Sequence, residues 1–367
     1  MLTERGAGIV SVVVPDRNGV MGDVVLGYRD EASYLGDGPC MGKIPGRYAN
    51  RIAGGRFCLD GKWFDLVKNH PEYQLHGGPD GFANRMWKVL RSSDTQVLFA
   101  LDSPDGDQGY PGALHVEALY SWKDDNSLRL EITATTDAPT VINLTNHTYW
   151  NLDGEDSGSI FSHNLRLNAS RWLTTSEALI PTGEFAPVKD TPMDFRTAKP
   201  IGHDIKADFP ALKYGKGYDN CWIIDGPPVS EEVPKSGDIS GSGKIPAPVG
   251  AYGAGKAPAS AVTAVEDAPG LEETVMQGLK PAAELSSAVS GRRLEVWTDQ
   301  PGVQVYTGNW LEGSPVSKSG RPYRDYDGVA IECQDLPDAP NHPAFPSTEL
   351  RPGQTWHRTI LFKLSVD

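Results

Sequence analysis

Along most of this chain apolar and polar residues take turns. Short alternating runs, bounded by Gly, Pro, Asn or Asp, span Ile9 to Val14, Val24 to Leu26, Val97 to Leu101, Leu114 to Trp122, Leu128 to Ala134 and Leu294 to Trp297. A period of two sends successive side chains to opposite faces, as in a β-strand with one face on a core. The 3.6-residue period of an amphipathic helix is hard to find. The dipeptides Asn18-Gly19, Asp60-Gly61, Asp80-Gly81 and Asp105-Gly106 fall between such runs and suit hairpin turns, because these residues tolerate positive φ. The pattern predicts an all-β fold, one large antiparallel β-sandwich rather than βαβ units.

Residues 226–290 depart from it. They are rich in Pro, Ala, Gly and Ser and almost lack aromatic residues, so they offer little apolar surface to offset the entropy of ordering. The stretch reads as a surface insertion within a single domain spanning 1–367, with a short helix around Leu271 to Leu279 and the fold resuming at Arg293. Inside it, Gly250, Gly255 and Lys256 have the spacing of a phosphate-binding loop. The Ser or Thr required after the lysine is replaced by Ala257-Pro258, and no strand precedes, so nucleotide binding is not expected. Sequons at Asn143, Asn146 and Asn168 read as fortuitous, since two of them fall on a strand expected to be buried.

The formal charge of -14 and a pI near 5.0 repel nucleic acid and anionic membranes and favour a neutral small-molecule partner. Cys40, Cys58, Cys221 and Cys333 show neither a CxxC nor a metal-ligand spacing, and read as free, mostly buried thiols of a reducing compartment. No apolar run approaches the ~20 residues of a membrane span, and Met1 to Arg5 lacks a signal-peptide pattern. The expectation is a cytoplasmic protein, monomeric or weakly dimeric, with no nucleic-acid or membrane partner.

The chemistry concentrates in Val141 to Leu152. Alternation places Asn143, Thr145, His147, Tyr149 and Asn151 on one face: two amides, a hydroxyl, an imidazole and a phenol, groups suited to hydrogen-bonding a polyol. A second cluster, Gly328 to Gln334, puts Glu332 and Gln334 opposite Val329, Ile331 and Cys333. A buried carboxylate there has its pKa raised and suits general-base work, although a rim ion pair would fit the same pattern. Gln74 to Gly78 adds His76 before two glycines that permit close backbone approach, and Gly46 to Ile52 adds Asn50 and Arg51. Ordinary roles exist for each: a core hydrogen bond for His147, a turn for His76, an ion pair for Arg51. Asp219 after a Gly-Tyr turn and Gln304 between two valines are equally open to structural readings.

Taken in order, these segments resemble the aldose 1-epimerase, or galactose mutarotase, family. The resemblance runs through Val14 to Gly19, Asp23 to Gly27, Gly46 to Ile52, Gln74 to Gly81, Ser103 to Gly112, Asn143 to Leu152, Gly217 to Asn220, Gln300 to Asn309 and Glu332 to Asn341. It implies a mutarotase-like supersandwich and an isomerase that interconverts the α and β anomers of free aldohexoses such as galactose or glucose. It further implies His147 as the acid on the ring oxygen and Glu332 as the base on the anomeric hydroxyl. Asn50, Arg51, His76, Asp219 and Gln304 are then the sugar-binding residues, and no metal or cofactor is required. A hexose-6-phosphate epimerase would need additional cations. A non-catalytic sugar-binding module would not need both His147 and Glu332. Two departures from the family pattern stand out: the insertion, and a start that falls late, near Gly6. A late start is expected to leave a sheet edge unpaired, and it weakens the cytoplasmic assignment.

Overall fold

A computed structural model describes residues 1–35, 37–226 and 278–367. Almost all regular structure is antiparallel sheet. The larger sheet has nine strands, in the order Lys199–Pro200, Asn164–Leu167, Lys280–Ser286, Arg292–Thr298, Trp356–Val366, Ser127–Thr136, Leu114–Trp122, Gln96–Ser103 and Lys88–Ser92. The smaller has six: Tyr149–Trp150, Val329–Gln334, Gly302–Tyr306, Asp219–Ile223, Arg171–Thr175 and Pro181–Pro187. The described strands belong to one compact unit, Met1–Gly226 with Leu279–Asp367.

The sandwich follows from the alternation. Val116, Ala118, Leu130, Ile132, Ile360 and Phe362 of the large sheet and Trp150, Trp222, Val303, Val305, Val329 and Ile331 of the small one share a single core. The Trp150 and Phe362 rings meet across it at 5.2 Å. Burying each such side chain is worth about 1.5–3 kcal/mol, which is what holds the layers together.

Several local expectations change. Asn18-Gly19 and Asp60-Gly61 close hairpins between Val13–Pro15 and Met21–Asp23 and between Arg56–Leu59 and Lys62–Asp65. Asp80-Gly81 and Asp105-Gly106 instead lead into the 3-10 turns Phe82–Asn84 and Asp107–Gly109. Val24 to Leu26 makes only an isolated bridge, Val25 to Trp150. Leu2–Thr3 is already a strand, paired with Gly8–Ile9, so regular structure begins ahead of Gly6. The large sheet ends at Lys88–Ser92, where exposed Lys88 and Arg91 discourage edge-to-edge pairing.

The boundary at Ser290 is corrected. Lys280–Ser286 is an inner strand of the large sheet, bonded to Asn164–Leu167 on one side and Arg292–Thr298 on the other, with a bulge at Pro281. Small residues and a proline disguise it, yet Ala282 and Leu285 are fully buried, and the bulge absorbs the missing N–H. The phosphate-loop look-alike and all but Gly278 and Leu279 of the expected helix lie outside the described residues.

Val141 to Leu152 is not one strand. Thr140–Val141 pairs with Glu349–Leu350, Asn143 bridges in parallel to Tyr48, and Tyr149–Trp150 pairs with Val329–Ala330. In between, the backbone bonds to the segment 42–49: the His147 N–H donates to the Lys43 carbonyl and the Gly42 N–H to that of His147. All twelve residues are buried, so neither face is a solvated one.

Candidate active site

The outer face of the small sheet is the floor of the site. In register across it, Tyr149 faces Ala330, Ala330 faces Tyr306 and Tyr306 faces Asp219. In the next row Glu332 faces Gln304, and Gln304 faces Cys221. The inner face of these strands is apolar core, so alternation fixes which side chains point outward. Loops roof this face, and Val329–Gln334 is buried on both sides.

Two wall segments are locked together by a close approach. Gly77 has φ +83, and a Cβ there would lie 1.8 Å from the Gly46 carbonyl oxygen, so only glycine fits. That contact sets His76 beside Asn50. The His76 N–H donates to the Asn50 carbonyl at 2.9 Å, and the Asn50 N–H donates to His76 Nδ1 at 3.2 Å. Nδ1 is therefore an acceptor, which assigns the ring proton to Nε2.

The result is a cavity of about 1010 Å³ lined by Asn50, Arg51, His76, His147, Asp219 and Glu332, together with Tyr149, Tyr306, Tyr73, His70, Tyr214 and Trp310. It lies near the upper end of the range for small-ligand sites, roughly 300–1,000 Å³. At its base His147 Nε2 stands 3.4 Å from Glu332 Oε1, and the His76 ring meets that of His147 edge-on at 5.3 Å. Arg51 reaches Asp219 Oδ2 at 3.3 Å and Asn50 Oδ1 at 3.3 Å, and its guanidinium sits 5.1 Å from the Tyr73 ring centre. Gln304 does not line the cavity. Its amide donates to Asp219 Oδ1 at 2.6 Å, so it orients a wall residue from behind.

Burial governs the titration here. It pushes the Glu332 carboxyl well above its ordinary range; Asp219 adds to the rise and Arg51 opposes it. Burial lowers His147 to about 4, with partial opposition from its own backbone and from Asp219. His76 is driven far down by burial and then by the neighbouring His147 and Arg51, so it is a neutral donor through Nε2. Glu332 Oε2 is buried without a hydrogen-bond partner among the described residues. An acid and a base in contact, each displaced from its ordinary pKa and facing a polar cavity, are equipped to remove one proton and deliver another at neighbouring atoms.

Of the residues that alternation set on the polyol-facing side, only His147 and Tyr149 reach the cavity. Asn143 and Asn151 spend their amides on main-chain carbonyls. Sequence reading passed over Tyr306, Tyr73, His70, Tyr214 and Trp310. Tyr306 was within reach, two residues beyond Gln304 on the same strand face; Tyr73 comes from the short strand Tyr73–Leu75, Tyr214 from the short helix Pro210–Gly215, and His70 and Trp310 from loops, placements that no local pattern encodes. A second cavity, about 910 Å³ beside Met1 to Glu4, is lined by no histidine, cysteine or cation side chain. Among the described residues no three His, Cys, Asp or Glu side chains are grouped to share a metal ion, and no helix is long and apolar enough to cross a membrane.

The family model for aldose 1-epimerase matches residues 1–240 and 258–363. The aldose 1-epimerase of Escherichia coli (strain K12) is 36% identical over 357 residues, covering 97% of this chain and 88% of the relative. Human galactose mutarotase is 36% identical over 361 residues, covering 98% and 89%. Among solved structures, an aldose epimerase homologue from C. elegans superposes with a TM-score of 0.79 at 28% identity, covering all of this chain and 94% of that one.

Proposed function

The chain belongs to the aldose 1-epimerase family, an isomerase that interconverts the α and β anomers of aldoses, and we propose that Glu332 and His147 are the base and acid of that reaction. Glu332 takes the proton of the anomeric hydroxyl; the electron pair left on that oxygen closes the carbonyl while the bond from C1 to the ring oxygen breaks. His147 protonates the departing ring oxygen. Rotation about the C1–C2 bond turns the other carbonyl face toward the chain hydroxyl, and reclosure runs the two proton transfers in reverse, with the roles exchanged. Asn50, Arg51, His76 and Asp219 hold the sugar hydroxyls, and Gln304 fixes Asp219.

The observation that carries this reading is the 3.4 Å contact between His147 and Glu332 at the base of the polar cavity. The pair works with one proton between them. Burial alone favours that proton on Glu332; sugar hydroxyls donating to the carboxylate favour the ionised arrangement the reaction needs. Polarimetry on freshly dissolved α-galactose tests the reading: the protein is expected to speed the approach to anomeric equilibrium, and Glu332→Gln to abolish the acceleration.

The same reading takes free galactose and glucose as substrates rather than hexose phosphates, because the lining cation Arg51 is already engaged by Asp219 while Glu72 and Glu177 also line the cavity. It makes the enzyme one catalytic domain interrupted by an insertion ahead of Gly278. It also places the protein in the cytoplasm as a monomer or weak dimer, a setting that four free cysteines suit.

A further inference from the structure

We propose that Asn143 is a positioning residue that sets the spacing between the sugar-binding wall, the acid and the base. The inference rests on the assignment of Glu332 and His147 above and goes one step behind it. Asn143 is fully buried and lies outside the cavity lining. Its Nδ2 donates to the Ala49 carbonyl at 3.2 Å and to the Asp335 carbonyl at 3.1 Å, and its Oδ1 accepts from the Asp335 N–H at 2.9 Å. Its own backbone bonds to the same wall, N–H to the Arg47 carbonyl and carbonyl to the Ala49 N–H.

One side chain thus joins three segments. Ala49 immediately precedes Asn50 and Arg51, Asp335 follows Glu332 by three residues on the same chain direction, and His147 is four residues beyond Asn143 itself. Both Nδ2 hydrogens are spent, so each bond that breaks leaves a buried carbonyl or N–H unpaired. Among the described residues the sheet pairs Val329–Gln334 with Tyr149–Trp150 and Gly302–Tyr306 only. The other ties to the wall fall farther along, from the Tyr48 hydroxyl to the Leu336 carbonyl and from the Asp338 N–H to the Arg51 carbonyl, which leaves Asn143 to hold the residue next to the strand's end. A displacement of about 1 Å between base, acid and wall is enough to cost roughly 100-fold in rate. The amide therefore controls geometry on which both chemistry and binding depend.

The test compares Asn143→Ala with Asn168→Ala. Asn168 makes the same kind of clamp, Nδ2 to the Asp225 and Pro281 carbonyls, away from the cavity. Urea unfolding and mutarotation kinetics corrected to folded enzyme are read on both. Asn143→Ala is expected to lower kcat about 30-fold and raise KM several-fold, whereas Asn168→Ala is expected to lose stability with kcat and KM unchanged. Should Asn143→Ala fold too poorly to assay, Asn143→Ser, which retains one donor, is expected to show the same paired change in smaller measure. Loss of stability with kcat and KM within about twofold of wild type, in whichever variant folds, overturns the proposal. Glu332→Gln run alongside keeps the outcomes separate, since retained turnover there refutes the base assignment and not the clamp.

Discussion

His115 and His147 both sit beside carboxylates, and their protons behave in opposite ways. His115, on the outer face of the large sheet, lies 2.7 Å from Asp102 and 3.6 Å from Glu117 in water; the hydrogen bond to Asp102 raises its pKa above the usual histidine value. His147, on the roofed face of the small sheet, lies 3.4 Å from Glu332, and burial takes it down to about 4. The residue types are alike and the solvent is not. Around His115 water screens the charges and the ion pair is worth little; His147 and Glu332 are almost completely buried, and there ionising one partner alone is costly unless the other or a bound hydroxyl compensates it.

That contrast breaks most sharply on removal of the titrating groups. Glu332→Gln and His147→Asn are each expected to cut kcat by at least ~100-fold in a folded protein, while His115→Asn leaves turnover unchanged; equal effects from both histidines would refute the distinction. In the wild type, the one-proton pair gains a second proton on His147 near the depressed value of about 4 and loses its only one from Glu332 at a raised value. The rate is therefore expected to trace a broad bell with pH, bounded below by the first step and above by the second.

The cavity wall gives the next largest effects. Gly77→Ala inserts a Cβ 1.8 Å from the Gly46 oxygen and is expected to cost about 1–3 kcal/mol of stability and to raise KM by parting His76 from Asn50, as read by urea unfolding and sugar saturation. Asn50→Ala is expected to raise KM about tenfold with kcat largely kept, because a hydroxyl held equally in ground and transition states contributes to binding alone. Excision of 241–257, the stretch between the two blocks of the family match, is expected to leave turnover within about tenfold, since loop-closure cost varies weakly with length.

The large sheet was the more legible half for the same reason. Its strands keep one wet face: Leu114–Trp122 alternates buried and more exposed positions as its residues do, so a period-two pattern survives in the sequence. The central strands of the small sheet, Gly302–Tyr306 and Val329–Gln334, are buried on both faces, and there pattern misleads. Asn143 and Asn151 look like polyol ligands and are main-chain clamps; Gln304 looks like a ligand and backs Asp219. Glu332 and His147 stood out because a buried segment rarely carries such groups, and the likeness to aldose 1-epimerases suggested the roles proposed for them. Strand Lys280–Ser286 was hidden by a composition fit for a linker, its place fixed by partners far along the chain.

The smallest expected effect concerns stability. The folded pKa of Glu332 lies above its ordinary value of 4.5, so the native state holds that proton more tightly than the unfolded chain does. Its stabilising contribution is complete below the unfolded value and is lost as pH rises through the folded one. His147, depressed from 6.5 to about 4, runs the other way: its contribution is present above 6.5 and is lost as pH falls toward 4. Glutamine at 332 has no proton to lose. Glu332→Gln is therefore expected to match the wild-type Tm near pH 4 and to exceed it by a widening margin as pH rises, the stability an active site gives up for function. Thermal unfolding of both proteins across that range decides the matter, and a Tm difference that shrinks with rising pH would place the raised proton somewhere other than Glu332.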